Sequence, residues 1–407
     1  VQTENVRNME DDSIPVEDER SPQDITDEVV RFKEYLEQPV GHHWYRWHQI
    51  PFDKSYPDYM PPVDGFAEAV QEQQANDIYV MPYTNGRLWD ADETEYAEKY
   101  DLPAAAAKKQ DGSLWIEDYG NDVKNVPICP TQDVWTTIVN EFVNEELFDT
   151  YHVNAVYLDQ LGFSSPTLCY DASHGHPLGG GSYWMESTRD MVQSIRDAMP
   201  DDAILTTEGV NDSLTNVFDG ILAYPNSYSE YGLPAVNAVM VGAVQLFGRV
   251  YGNPKTPFEE QDTLNYKQKM AQQLTWGEQI GWIQAHVMED SQKAEYLKNS
   301  GKLRAQINRN FYAGRMGQPL EILDNPQVSS GGDYPLTTGA VLGSAWMLPQ
   351  DNTATLVFAN VTEENQTVKV PLNAADYGVY TNQIQVTTIL PDGEQETRTL
   401  PAVTTLE

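Results

Sequence analysis

Basic residues, cysteines and long apolar runs are all scarce in this 407-residue chain, and each scarcity excludes a class of protein. Only 25 lysines and arginines stand against 62 acidic residues, and the net charge of −37 repels nucleic acids and anionic lipids. Two cysteines, Cys129 and Cys169, cannot form a disulfide framework. No apolar run approaches the roughly 20 residues that a membrane-spanning helix needs. The composition predicts an acidic globular protein with no membrane span and no nucleic-acid partner.

Two further signals are absent. Residues 1–22 are acidic and lack the apolar stretch of a signal peptide, so we interpret them as a flexible acidic lead-in. A mature chain would look the same, so this absence does not exclude secretion, and we slightly favour a secreted or periplasmic location over the cytoplasm. No G-x-G-x-x-G follows a predicted strand, which argues against a dinucleotide fold. No motif requires a cofactor, and nothing indicates the oligomeric state.

Short apolar segments alternate with helical segments across residues 23–328. This alternation is typical of a parallel sheet covered by helices, and its length favours a (β/α)8 barrel of the TIM type. The predicted strands are HHWYRW at 42–47, DIYVMPY at 77–83, VNAVYLD at 153–159, AILTTEG at 203–209, FDGILAY at 218–224, VQLFGRVYG at 244–252 and IGWIQAH at 280–286. The first visible element is a helix after Ser21-Pro22, so the first barrel strand lies upstream or is not recognisable.

The pattern changes after about residue 330. Short β-type runs are separated there by Asp, Asn, Gly and Pro, and helical periodicity disappears. We therefore predict that residues 335–407 form a small antiparallel β-sandwich, joined to the α/β barrel by the linker SSGGDYP at 329–335.

Polar and aromatic side chains are concentrated where the predicted strands end. In a barrel of this type, the carboxyl ends of the strands carry the functional residues. The candidates for ligand binding at these ends are His43, Trp44, His48, Tyr83, Asn85, Arg87, Asp90 and Tyr224. Any single one is more often structural than functional, but so many at one face indicate a site. For Arg87, holding Asp90 is slightly favoured over binding an acidic sugar.

Asp159 and Glu208 are the strongest candidates for catalysis. They end consecutive predicted strands, so they would lie on facing sides of a groove. Glycoside hydrolysis needs such a pair, one carboxylate to attack or activate water and one carboxylic acid to protonate the leaving oxygen. Partial burial of Glu208 would raise its pKa towards that of a working acid. The alternative is that each acid only caps the helix that follows.

The loop after Asp159 is unusually long, and loops of this length are typically functional. Its candidates for substrate binding are Gln160, Asp171, His174, His176 and Trp184. Cys169 joins them among possible metal ligands, but the spacing matches no zinc signature, so we predict no metal site. The two cysteines are more consistent with unrelated buried thiols than with a disulfide. No Lys follows the glycines at 179–181, which disfavours a phosphate-binding loop.

Several strings resemble a known family. GHHWYRWHQIPFD, YTNGRLWD, YLDQLG with CYDASHGHPLGGGSYW, and TTEGVND are similar to a glycoside hydrolase family catalogued as a domain of unknown function. That family is distantly similar to endo-α-N-acetylgalactosaminidase-type barrels and, more remotely, to α-amylase-type barrels. The likeness runs from about residue 40 to 325 and is most specific between Asp159 and Trp184. It implies that Asp159 is the nucleophile and Glu208 the acid/base of a retaining hydrolysis.

The resemblance leaves the substrate open, because the sugar-binding residues of the relatives cannot be matched one by one. The N-terminal β-domain of those relatives is not evident either. The sequence thus favours a retaining glycoside hydrolase that acts on an oligosaccharide or polysaccharide without a cofactor. Two alternatives are a non-catalytic carbohydrate-binding barrel and a metal-dependent hydrolase built on the loop at 169–176. Elemental analysis would separate the metal-dependent hydrolase from the retaining glycoside hydrolase, because only the former requires a bound metal for its reaction.

Overall fold

The computed structural model describes residues 2–3, 20–51, 53–93, 95–119, 122–223, 233–248, 262–331 and 335–407. The chain forms two compact units. The N-terminal unit comprises Thr3–Val30 and Val40–Leu222, and the C-terminal unit comprises Val1–Gln2, Arg31–Pro39 and Ala223–Glu407. The predicted barrel at 23–328 extends over both units, and its limits stay a prediction. Most of the predicted lead-in, residues 4–19, lies outside the described residues.

The secondary structure alternates between strands and helices until the C-terminal region. The α-helices are α1 Pro22–Leu36, α2 Phe66–Ala75, α3 Glu95–Tyr100, α4 Leu102–Ala105, α5 Asp133–Asn140, α6 Tyr183–Ala198, α7 Ala235–Met240, α8 Thr263–Thr275, α9 Ser291–Gln306 and α10 Asn308–Tyr312. The strands up to the middle of the chain are β1 Gln2–Thr3, β2 Val40–Trp44, β3 Ile78–Asn85, β4 Leu88–Asp90, β5 Asn125–Pro127, β6 Ala155–Asp159, β7 Ile204–Glu208, β8 Gly220–Leu222 and β9 Gln245–Phe247. The later strands are β10 Arg315–Met316, β11 Gln327–Ser329, β12 Thr337–Gly339, β13 Val341–Leu348, β14 Thr353–Asn360, β15 Val370–Asn373, β16 Gln383–Ile389, β17 Gln395–Pro401 and β18 Val403–Leu406.

The predicted helix after Ser21 is α1, and a reciprocal cap explains where it begins. The Ser21 hydroxyl accepts the backbone N–H of Asp24 at 3.2 Å, and the Asp24 carboxylate accepts the N–H of Ser21 at 3.2 Å. This pair satisfies two backbone donors that the first turn leaves without partners. None of the described helices combines the length and apolar composition that a membrane crossing requires.

Five parallel strands form the sheet of the N-terminal unit, in the order β2, β3, β6, β7 and β8. The register aligns Asn85 with Asp159, and Leu158 with Thr207. The strands therefore end at a common edge, as in the predicted barrel. The described part of the unit therefore contains five of the strands that an eight-stranded barrel would need, so it is an incomplete barrel. The α/β class is confirmed, and the barrel is confirmed in part.

The two faces of β2 have different surroundings because side chains alternate along a strand. The Trp44 ring is fully buried against Phe66 of α2, with 5.1 Å between ring centroids. His43 lies on the opposite face, where its ring is 4.4 Å from that of Tyr157 in β6. Trp44 thus belongs to the layer between sheet and helix, whereas His43 lies on the inner side of the sheet.

The last predicted strand of the barrel is wrong. No described strand spans 280–286, although Gln279 forms one parallel bridge with Phe247 of β9. Gly281 and Trp282 have φ angles of 112° and 66°, and this left-handed backbone cannot continue an extended strand. Apolar content alone therefore gave a false strand signal.

The C-terminal strands are antiparallel, as predicted. Strands β10, β13 and β14 form one sheet, and β11 with β12, β15 with β18 and β16 with β17 form two-stranded pairs. Ala345, Leu372 and Tyr377 belong to a small buried cluster between these strands. The two-sheet sandwich predicted for residues 335–407 is not confirmed.

Candidate active site

Two carboxyl groups end neighbouring strands of the parallel sheet. Asp159 is the last residue of β6, and Glu208 is the last residue of β7. The register pairs Leu158 with Thr207, one position before each acid, so the two acids leave the sheet side by side. Adjacent strands lie about 4.8 Å apart. Both acids are half-buried, so protein surrounds them while a ligand can still reach them.

Asp159 accepts one hydrogen bond on each carboxylate oxygen. The Tyr83 hydroxyl donates to Oδ2 at 2.9 Å, and the Tyr157 hydroxyl donates to Oδ1 at 3.0 Å. Burial raises the pKa of both tyrosines well above the usual range, so both hydroxyls keep their protons. The two bonds fix the plane of the carboxylate and leave each oxygen a second lone pair for reaction.

Burial raises the pKa of the two carboxyl groups unequally. The pKa of Asp159 rises to about 6, because burial outweighs the hydrogen bonds from the tyrosines. The pKa of Glu208 rises to about 9 through burial and then through the negative charges of Asp159 and Asp53. Near neutral pH the pair holds one proton, located mainly on Glu208. An ionised and a protonated carboxyl group therefore end neighbouring strands, which suits paired acid and nucleophile chemistry.

A layer of aromatic rings supports Asp159. The His43 ring lies 4.4 Å from Tyr45 and 4.4 Å from Tyr157, and Tyr45 stacks on Tyr83 at 4.9 Å. Burial lowers the pKa of His43 well below its usual value, so the imidazole is neutral. The layer therefore orients the tyrosine hydroxyls without adding a positive charge beside Asp159.

Arg87 is held by Glu117, which the sequence analysis did not identify. The two guanidinium nitrogens donate to the Glu117 carboxylate at 2.7 and 2.5 Å, and they also donate to Gln160 at 3.1 Å and Thr167 at 3.2 Å. The preferred prediction that Arg87 holds Asp90 is wrong. Glu117 lies in an irregular segment before β5, where no strand-end pattern marks it.

Asp53 is a third acid at the site that the sequence analysis missed. Its charge contributes to the raised pKa of Glu208, and its Oδ1 accepts the Tyr56 hydroxyl at 3.1 Å. The backbone at Asp53 is left-handed, with a φ of 56°. Because Asp53 follows β2 after an intervening loop, it lacked the signal of an acid placed directly at a strand end.

Trp44 and His48 lie in the core and not in the space above the carboxyl groups. Trp44 packs on Phe66, on the face of β2 opposite to His43. His48 is buried, with Nδ1 2.8 Å from the carbonyl oxygen of Ile50, and burial lowers its pKa to about 4. Because Trp44 is fully buried and His48 is only 5% exposed, neither ring offers a surface to a substrate.

Asn85 and Asp90 hold backbone turns. The Asn85 Oδ1 accepts the N–H groups of Arg87 and Leu88, both at 2.9 Å. The Asp90 Oδ2 accepts the N–H of Ser55 at 2.8 Å. Both side chains position the site's loops by local hydrogen bonds. The predicted residue Tyr224 lies outside the described residues.

The remaining predicted residues form a second group around the cysteines. Cys129, Cys169, His174 and His176 have ligand atoms within 4.8 Å of one another, and Trp184 packs in the same buried cluster as the two thiols. The cysteines are free and buried, but the expectation that they are unrelated is wrong.

Asp171 organises the loop of this second group. Its Oδ1 accepts the N–H of Ser173 at 2.8 Å, and its other oxygen pairs with Lys108. These partners lower the pKa of the Asp171 carboxyl well below the usual range, with the Lys108 contact as the largest cause. The carboxylate therefore caps the turn at Ala172–His174 and is occupied by protein groups.

One family model and two named proteins match the sequence of this chain. The family model described as "Domain of unknown function (DUF6259)" matches residues 3–257. A "Putative glycoside hydrolase" of Bacteroides thetaiotaomicron is 30% identical over 355 residues, which cover 84% of this chain and 51% of that protein. A "Putative glycoside hydrolase 22789" of Monosiga brevicollis is 25% identical over 441 residues, which cover 95% of this chain and 36% of that protein. The chain thus spans about half or less of the length of these relatives.

Solved structures share the fold at low sequence identity. The ligand-free α-N-acetylgalactosaminidase of Bifidobacterium bifidum has a TM-score of 0.60 and 15% identity, over 86% of this chain and 53% of that one. The α-amylase of Geobacillus thermoleovorans has a TM-score of 0.53 and 10% identity, over 99% and 96% of the two chains. These likenesses show that the chains share an α/β fold.

Proposed function

The chain belongs to the DUF6259 family, and we propose that it is a retaining glycoside hydrolase that acts on an oligosaccharide or polysaccharide. Asp159 is the proposed nucleophile and Glu208 the proposed acid/base. The names of the two relatives and the shared barrel architecture support the enzyme class. Fold alone does not carry a function, so the proposal depends on the chemistry of the pair.

The observation that carries the proposal is the placement of two unlike carboxyl groups side by side at one sheet edge. Asp159 and Glu208 end β6 and β7, and burial and mutual repulsion raise the pKa of Glu208 above that of Asp159. A glycosidase needs this division, because the same reaction requires a nucleophile and a proton donor.

The proposed reaction has two balanced halves. Asp159 attacks the anomeric carbon while the bond to the leaving oxygen breaks, and Glu208 gives its proton to that oxygen. This half leaves a glycosyl ester on Asp159 and a carboxylate at Glu208. Glu208 then takes a proton from water, whose oxygen attacks the same carbon and releases Asp159. Two inversions at one carbon give net retention.

Surrounding groups have distinct proposed roles. The hydroxyls of Tyr83 and Tyr157 hold the Asp159 carboxylate in one orientation before attack. Asp53 helps to keep Glu208 protonated through its negative charge. Gln160, which contacts Arg87, is proposed to bind a sugar hydroxyl at the rim.

The test combines substrate screening with stereochemistry. The purified chain is expected to hydrolyse at least one member of a panel of 4-nitrophenyl α- and β-glycosides. Proton NMR during the first turnovers should show a product with the anomeric configuration of the substrate. Asp159→Asn should lower kcat by roughly 10²–10⁴-fold. The matched control Glu145→Gln, at an exposed acid, should leave kcat unchanged.

Two outcomes would contradict the proposal at different levels. An inverted first product would remove Asp159 as nucleophile while keeping glycosidase chemistry. Absence of hydrolysis across the panel, together with equal sugar binding by the unmodified chain and Glu208→Gln, would favour a carbohydrate-binding barrel.

A further inference from the structure

A cluster of four metal-ligand side chains lies outside the proposed catalytic pair. Cys169, His174 and His176 come from one short stretch of the loop after β6, and Cys129 comes from the segment after β5. One ligand atom from each residue lies within 4.8 Å of the other three. We propose that these four residues bind one Zn²⁺ ion in a tetrahedral Cys2His2 site.

The measured distances fit the edges of a coordination tetrahedron. The Cys129 Sγ lies 3.4 Å from His176 Nε2, and the Cys169 Sγ lies 3.4 Å from His174 Nδ1. Zinc bonds of ~2.3 Å to sulfur and ~2.0 Å to nitrogen place such atoms roughly 3.5 Å apart. A thiol–imidazole hydrogen bond has a similar length, so distance alone does not distinguish it from metal coordination. The orientation of the imidazole rings does.

Both imidazoles turn a lone pair towards the cluster. The outer nitrogen of His174, Nε2, lies 2.8 Å from the carbonyl oxygen of Ala104. The outer nitrogen of His176, Nδ1, lies 2.8 Å from the carbonyl oxygen of Pro177. A carbonyl only accepts, so each outer nitrogen carries the proton and each inner nitrogen is free to coordinate. This carbonyl–imidazole arrangement is the usual support for metal-binding histidines.

Backbone hydrogen bonds and a ring stack hold the loop that carries the ligands. Cys169 and Gly179 exchange backbone hydrogen bonds at 3.3 and 2.6 Å, which closes the loop that carries the histidines. The His176 ring stacks on Tyr183 with 3.9 Å between centroids and an interplanar angle of 4°. A site built this way loses little conformational freedom when the ion binds.

Four protein ligands make this a closed, structural site. Cys129 and Cys169 have no exposed surface, and His174 is 6% exposed. With all four positions of a tetrahedral zinc ion filled, none is left for a reactive water. The loop at 169–176 therefore serves architecture and not metal-dependent hydrolysis. The proposal does not depend on the glycosidase activity.

The ion would fasten two segments that both touch Arg87. Thr167, just before Cys169, accepts a hydrogen bond from the Arg87 guanidinium at 3.2 Å. Ile128, just before Cys129, donates its N–H to the Arg87 carbonyl at 3.1 Å. Zinc would thus stabilise the surroundings of the Arg87–Glu117 pair.

The first experiment measures metal in the intact chain. After purification without added metal and extensive dialysis, mass spectrometry of the elements should find about one zinc per chain. An organomercurial that titrates the two thiols should release the same amount of zinc to a colorimetric chelator. Replacement by Co²⁺ should give the intense visible absorption of a tetrahedral thiolate complex.

Variants link the metal to these residues. Cys129→Ser and His174→Asn should each lower the zinc content several-fold. His152→Asn, at an exposed histidine, is the matched control and should retain full zinc. If the cysteine variant does not fold, the mercurial release from the unmodified chain still tests the site.

The proposal is overturned by a chain that holds less than about 0.1 zinc after refolding with zinc and dialysis. It is equally overturned if the thiols react freely in the folded protein without releasing metal, or if they are joined as a disulfide.

Discussion

The carboxyl pair and the four-residue Cys/His cluster of the N-terminal unit are assembled in different ways. Asp159 and Glu208 end adjacent strands, so the register of β6 and β7 sets them side by side. Cys129 and Cys169 come from irregular segments and meet only through loop packing. The first group is therefore marked by a local pattern, an acid after an apolar run, whereas the second has no local pattern.

The two groups also differ in electrostatics. Burial, and then the negative charges of Asp159 and Asp53, raise the pKa of Glu208 from 4.5 to about 9, whereas the thiols and imidazoles form a donor set for a cation. A carboxyl group with a raised pKa in the folded state favours folding while it is protonated. The contribution of Glu208 to stability is present below pH 4.5 and is lost as the pH rises towards 9.

The largest expected effect is a loss of activity that involves the carboxyl pair and leaves the Cys/His cluster unchanged. Glu208→Gln should lower kcat/KM by roughly 10²–10⁴-fold on a glycoside whose leaving group needs a proton. On a dinitrophenyl glycoside the loss of kcat/KM, which reports only the first half of the reaction, should be much smaller, because that leaving group departs without protonation. Steady-state kinetics on both substrates measures the difference, and the zinc content of this variant should not change.

Glu145→Gln again serves as the control and should behave as the unmodified chain with both substrates. Equal losses on both substrates in Glu208→Gln would contradict its role as general acid. They would indicate a structural role at the sheet edge instead.

A change in the Cys/His cluster should have the opposite result, with lower thermal stability and most of the activity retained. Cys169→Ser removes one zinc ligand, and metal binding to such sites contributes to the free energy of folding. A loss of about 2 kcal/mol or more should lower the Tm of a chain of this length by ~2 °C or more. Calorimetry with and without a chelator measures this, and the chelator should lower the Tm of the unmodified chain but not that of Cys169→Ser. A chelator-insensitive Tm in both would contradict a structural ion.

This contrast also explains what the sequence could predict. The strand ends at Asp159 and Glu208, and the neighbouring Tyr83, follow from apolar periodicity and parallel pairing. Glu117 and Cys129 could not be assigned, because their partners lie in separate irregular segments. Trp44 was wrongly predicted to bind substrate. Side chains alternate between the two faces of a strand, and Trp44 lies on the face of β2 that packs on helix α2. Local patterns thus located the carboxyl pair but not the contacts made by loops.

A smaller effect concerns the dependence of activity on pH. Asp159 must be ionised and Glu208 protonated, so kcat/KM should rise as the pH passes about 6 and fall as it passes about 9. These limits belong to the coupled pair. In Glu208→Gln the alkaline limb should disappear while the acid limb persists. A profile that keeps its alkaline limb in this variant would assign that limb to another group.

The smallest effect tests how the tyrosines support the nucleophile. Tyr83→Phe removes a donor to the ionised form of Asp159, so its pKa should rise and the acid limb should move upward by roughly 0.5–1 unit. Tyr157→Phe should move the limb in the same direction, because its hydroxyl bonds the other oxygen. Tyr79→Phe, at an exposed tyrosine of the same strand β3, is the control and should not move it. An unchanged limb in both inner variants would mean that the hydroxyls do not govern the ionisation of Asp159, and the aromatic layer would then serve packing alone.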